Sequence, residues 1–135
     1  MLKLSKKTEY ALMAAKYMAL NNSSGFSTAK EISVSYNIPH QLVAKVLQAM
    51  AKNDIAISSK GVNGGFALAK EPEQISLSDI IQAIETNYHL VDCFNENGAG
   101  DECSRLDCCK IRNPLAEIQK KIDKIFIETS LQQIL

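Results

Sequence analysis

Residues 28–68 hold the pattern that most restricts how this chain can fold. Thr28, with Glu31 three residues later, is a capping box that opens a short helix through Ile32 to Tyr36. Asn37-Ile38-Pro39 then makes a tight corner. A second helix follows from about His40 to Lys52. Its apolar stripe is Leu42, Val43, Val46, Leu47 and Met50, while Gln41, Lys45, Gln48, Lys52 and the small Ala44 share the opposite face. Ile55 and Ile57 alternate next, Lys60-Gly61-Val62-Asn63-Gly64-Gly65 turns the chain, and Phe66 and Leu68 return. Asn63-Gly64 predicts a type I′ hairpin turn, because both residues tolerate positive φ. Two short helices joined by a corner, the second with a polar and basic outer face, form a helix-turn-helix candidate. A hairpin directly after such a pair is the wing of a winged helix.

The flanking segments are helical too. Ser5 caps a first helix to about Leu20, with Tyr10, Met13, Ala14, Tyr17 and Leu20 on one face, and the polar run 21–25 ends it. Ser76 with Asp79 caps another helix that carries Leu77, Ile80, Ile81 and Ile84. Asn113-Pro114 marks the start of a last long helix. On it Leu115, Ile118, Ile122, Ile125 and Thr129 recur in steps of three and four. That seam either packs internally or forms a dimer interface.

The 135 residues suffice for one compact domain with a small appendage, and 46% apolar content with 22% charge places the chain among globular proteins. The formal charge of zero hides an asymmetry. Residues 1–70 carry nine Lys against three Asp/Glu, whereas residues 71–135 carry six Lys/Arg against twelve Asp/Glu. A basic first half is the electrostatic footprint of a surface that meets phosphates, and binding through it should be steeply salt-dependent. No stretch approaches the roughly twenty apolar residues of a membrane span. Glu9 and Lys16 bracket the apolar run 10–15 too closely for a signal-peptide core, so the expected location is the cytoplasm.

In that setting the four cysteines crowded between Cys93 and Cys109 point to metal or redox chemistry rather than disulfides. Thiolates suit zinc and iron–sulfur clusters. Cys93, Cys103, Cys108 and Cys109 contain no paired CxxC, and the side chains of adjacent Cys108 and Cys109 diverge, so three ligands and a spare is the natural count. Spacing leaves zinc, a cluster and a redox switch all open. On the helix-turn-helix, Gln41 and Gln48 match adenine edges and Lys45 matches guanine. Lys60 and the wing backbone at Asn63 and Gly64 match phosphates, and Thr28 and His40 sit at the helix starts. The competing reading is an ordinary helical pair with a solvated face. His89 reads as a plain surface residue. No catalytic triad, P-loop, dinucleotide fingerprint or carboxylate pair is present, so an enzyme is not expected.

Thr8-Glu9-Tyr10-Ala11-Leu12, the wing Lys60–Phe66, the stretch Ile75–Ile81 and Leu90-Val91-Asp92-Cys93 occur in an order that resembles the Rrf2 family of winged-helix transcriptional regulators. The resemblance covers essentially the whole chain and is closer to the nitric-oxide-sensing, NsrR-like branch than to the IscR-like one. It implies a mainly α fold: a winged helix-turn-helix over 1–86 with a two-stranded wing, a cysteine-rich cluster loop over 87–111, and a long dimerisation helix and tail over 112–135. It implies a homodimer that binds a double-stranded DNA operator, as a repressor, and holds a [4Fe-4S] or [2Fe-2S] cluster sensitive to nitric oxide, redox or iron–sulfur status. The ligands it implies are Cys93, Cys103 and Cys109, with Cys108 as a possible substitute. Arg112 stands where the IscR-like branch has a ligand His, and Glu9 stands where the NsrR-like branch has a ligand Asp.

Overall fold

The computed structural model describes residues 3–90 and 110–135, so all four cysteines lie outside the described residues. Helix α1 spans Lys6–Leu20, and the Thr8 N–H donates to the Ser5 hydroxyl at 3.2 Å. Its buried face is not the tyrosine stripe the periodicity suggests. Ala11, Ala14 and Ala15 are almost wholly buried with Met18, whereas Tyr10 and Tyr17 are half-buried and Leu20 is exposed. α1 packs against several elements, and only small side chains fit where helix axes come close. The large residues are displaced to its flanks, where Tyr17 meets Tyr36 edge-on at 6.2 Å.

Helix α2, Ala29–Tyr36, carries the expected capping box. Glu31 N–H donates to Thr28 Oγ1 at 3.1 Å, and Thr28 N–H donates to the Glu31 carboxylate at 2.8 Å. The corner after it is set by Asn37 in the left-handed region, φ 52°. Ser33 hydroxyl donates to Ile38 O and Ile38 N–H returns to Ser33 O at 3.0 Å, which seats the buried Ile38. Helix α3, His40–Lys52, inserts Val43, Val46, Leu47 and Met50 into the core.

Strands β1, Ala56–Ser59, and β2, Gly65–Leu68, pair antiparallel from Ala56↔Leu68 to Ser59↔Gly65. The turn between them is not the type I′ turn read from Asn63-Gly64. Neither residue has positive φ; Gly61 at 104° and Gly65 at 144° do. The Gly64 N–H closes onto Gly61 O at 3.1 Å, so Val62 and Asn63 form the centre of the turn, and a Cβ on Gly64 would strike the Ser59 carbonyl. The wing also has a partner with no local sequence signal. Ser27 exchanges both backbone hydrogen bonds with Phe66, at 2.8 and 2.7 Å, fastening β2 to the residue just ahead of the α2 cap.

Helix α4, Leu77–Ile84, has the Ser76–Asp79 capping box and buries Ile80 and Ile81. Helix α5, Arg112–Glu128, lies against α4, and Pro114 sits in its first turn. Its end is sewn to the start of α4: Leu77 N–H donates to Thr129 O at 2.9 Å, Leu131 N–H donates to Ile75 O at 2.7 Å, and Leu131 is fully buried. The seam on α5 divides. Leu115 and Ile122 are half-buried, while Ile118 and Ile125 stay 46% and 60% exposed, in heptad step with the exposed Ile111. Among the described residues no helix is long and apolar enough to cross a membrane.

Candidate nucleic-acid interface

The buried stripe of α3 fixes which side chains face outward. His40, Gln41, Lys45, Gln48 and Lys52 are all exposed, opposite Val43, Val46, Leu47 and Met50. Pro39 begins the helix without a side-chain cap and no acidic residue occupies the first turn, so the free N–H groups there leave a positive end beside His40 and Gln41. Lys45 borders a shallow groove of about 150 Å3 between α3 and the end of α4, and the same groove brings in Lys7 from the first turn of α1. Sequence counted Lys7 only in the basic total, because nothing local tells that α1 starts beside α3.

Thr28 is half-buried, with its hydroxyl oxygen committed to the α2 cap. Lys60, Val62 and Asn63 are exposed at the wing tip, and Gly64 is half-buried. The pairing of Ser27 with Phe66 ties the wing to the start of α2, and Asp54, at φ 60°, turns the chain out of α3 toward β1.

Glu9 lies on the first turn of α1 and pairs with Lys6 at 2.7 Å across an exposed surface. That hydrogen bond, with the carboxylate charge, raises the pKa of the Lys6 ammonium. Glu9 is therefore not used inside its own subunit's core. Because Cys93, Cys103, Cys108 and Cys109 lie outside the described residues, the structure does not bring them together with Glu9. Among the described residues no three His, Cys, Asp or Glu side chains cluster as metal ligands.

Two residues missed from sequence make long-range hydrogen bonds in the described residues that flank positions 91–109. Glu85 ends α4, and its Oε1 accepts the Ser5 N–H at 2.9 Å and the hydroxyl of the fully buried Thr8 at 2.5 Å. Burial works against its ionisation, but the Ser5 and Thr8 hydrogen bonds and the Lys7 charge prevail and hold its pKa below the usual glutamate value. Gln119, buried on α5, accepts the Leu90 N–H at 2.8 Å and donates to Asp123 at 2.8 Å. Just ahead of Leu90, Tyr88 stacks on His89 with ring centroids 5.0 Å apart. His89 is not the plain surface residue expected: it is half-buried, and its Nδ1 is buried without a hydrogen-bond partner among the described residues.

A family model described as an iron-dependent transcriptional regulator, Rrf2, matches residues 4–135. The regulator NsrR of Halalkalibacterium halodurans is 29% identical over 99% of this chain and 90% of its own length. NsrR of Shouchella clausii is 32% identical over 86% of this chain and 76% of its own. Among solved structures, CymR, the global cysteine regulator of B. subtilis, superposes with a TM-score of 0.76 at 21% identity, over 99% of this chain and 96% of that one. IscR of T. potens gives 0.75 at 21% identity, over 98% and 85%. The basic α3 face, the wing and a family match over nearly the whole chain agree: this chain belongs to the Rrf2 family of winged-helix, DNA-binding transcriptional regulators and is not an enzyme.

Proposed function

We propose that the chain is a homodimeric cytoplasmic repressor whose grip on a duplex operator depends on a cysteine-ligated iron–sulfur cluster that answers to nitric oxide, redox or iron–sulfur status. On DNA, Gln41 and Gln48 pair with adenine edges and Lys45 with guanine, while Lys60 and the backbone at Asn63 and Gly64 hold phosphates. Thr28 and His40 flank these contacts at the two helix starts. The exposure of the α3 stripe supports these roles. The dimer reading is supported by the exposed Ile111, Ile118 and Ile125, spaced as one side of a heptad seam.

The donor set suits the cofactor. Three thiolates, Cys93, Cys103 and Cys109, are ligands iron–sulfur clusters take, and Cys108 is a spare. Among the described residues the Glu9 carboxylate pairs with the exposed Lys6, which leaves it available as Glu9 of the partner subunit. When bound, the cluster supplies iron that nitric oxide and oxidants attack. The protein's part is mechanical. Gln119 anchors the entrance of the cysteine segment to α5, and Glu85 anchors the end of α4 to the start of α1, the helix that carries Glu9. A change in the cysteine segment therefore reaches α1 and, through its packing on α3, the recognition helix.

The single observation that carries this reading is the match to the Rrf2 family over residues 4–135, in a chain whose sequence holds four cysteines between positions 93 and 109. The test is iron, sulfide and zinc content with a visible spectrum, on protein purified without oxygen. Iron and sulfide together with a charge-transfer band support it. Zinc alone, or no metal after anaerobic reconstitution, removes the sensing role and leaves the DNA-binding fold.

A further inference from the structure

A cavity of about 240 Å3 lies between the residues ahead of α1, the end of α4 with the segment after it, and the second half of α5. It is separate from the DNA-reading face, and no cysteine lines the described part of its wall. Its size is below the roughly 300–1,000 Å3 of pockets for drug-sized ligands, so it suits a small metabolite.

The chemistry of the wall is mixed in a particular way. Leu4, Ile122 and Phe126 make an apolar side. Lys3 brings a cation and Glu85 an anion. Both hydrogen bonds that Glu85 accepts fall on Oε1, leaving Oε2 without one among the described residues. The hydrogen bonds from Ser5 and Thr8 also keep this carboxylate ionised. The His89 ring also lines the wall, held by stacking on Tyr88, whose hydroxyl is in turn bonded to Gln82 at 3.2 Å.

We propose that this cavity binds a free α-amino acid with a small apolar side chain. Its ammonium meets the Glu85 carboxylate, its carboxylate meets Lys3, and its side chain packs on Leu4, Ile122 and Phe126. A simple amine would leave Lys3 unmatched, and a simple carboxylate would leave Glu85 unmatched. Only a molecule with both charges and an apolar arm uses the whole wall. The proposal does not depend on a cluster being bound.

The test is calorimetric titration of the protein with each of the common amino acids, and with isobutylamine and isovalerate, which are valine without its carboxylate and without its ammonium. Saturable binding of at least one small apolar amino acid is expected, about tenfold or more tighter than either single-charge compound. Lys3→Gln, at an exposed position, should weaken it by a similar factor with the melting temperature unchanged. The absence of binding at millimolar concentrations would overturn the proposal. So would binding that matches a single-charge compound or is unchanged in Lys3→Gln. Because the readout is ligand binding rather than metal content or operator affinity, its failure is distinct from failure of the iron–sulfur reading.

Discussion

Glu85 closes the start of α1 from the far end of α4, taking the Ser5 N–H and the buried Thr8 hydroxyl on one oxygen. Its folded pKa is lowered, so the stability it contributes is present above the unfolded value near 4.5 and is lost as pH falls through the lower folded value. Thermal melts of wild type and Glu85→Gln from pH 7 to pH 3 check this. The wild type should melt higher at pH 7 and lose that advantage in acid; parallel curves would contradict the role. Gly65 is the second such residue. At φ 144°, with a Cβ that would sit 2.6 Å from Ser27 O, it permits the wing to pair with Ser27. Gly65→Ala should cost about 1–3 kcal/mol and weaken duplex binding while helical circular dichroism is kept. An alanine variant with wild-type stability and affinity would contradict it. Neither residue was legible beforehand, since Glu85 acts across about eighty positions of chain and Ser27 across about forty. The Asn63-Gly64 signal failed for a related reason: a dipeptide rule describes two residues, whereas the loop is set by Gly61, Gly64 and the pairing of Phe66 with Ser27.

Elements whose ends are fixed by neighbouring residues were legible. The capping boxes at Thr28 and Ser76 and the apolar spacing of α3 are local, and the structure reproduces them. The buried face of α1 was not, because periodicity weights large side chains and the close helix contacts select Ala11, Ala14 and Ala15 instead. On α5 the seam was legible, but its division into a half-buried row and an exposed row depends on where α4 lies. That division makes a prediction. Ile118→Asp or Ile125→Asp alters the exposed row only, so the subunit fold should lose no more than about 0.5 kcal/mol. Analytical ultracentrifugation should show the dimer replaced by monomer. A variant that stays dimeric would place the interface elsewhere, and one that unfolds would mean the row is core. For comparison, truncating the fully buried Leu47 to Ala should cost about 2–5 kcal/mol.

At the scale of the whole molecule the two charge halves separate two tasks. The basic half, residues 1–70, supplies α1, α3 and the wing, and the acidic half supplies α4, the cysteine segment and α5. The contacts between the halves run through Glu85 onto α1 and through the packing of α4 on α1 and α3. In the proposed mechanism, a signal received in the acidic half reaches the basic half through these contacts. The outward face of α3 was readable from spacing, because helical periodicity needs no tertiary information. The anchors at Glu85 and Gln119 were not, because each joins residues distant in sequence. The most direct measurement is fluorescence-anisotropy titration of a duplex that the anaerobically purified wild-type protein selects from a random pool. Wild type and Cys103→Ala should be compared before and after exposure to nitric oxide. Cys103→Ala should bind about tenfold or more weakly and no longer change with nitric oxide, whereas the wild type releases the duplex. Equal affinity and an equal response in the two proteins would contradict the coupling of the cysteine segment to DNA.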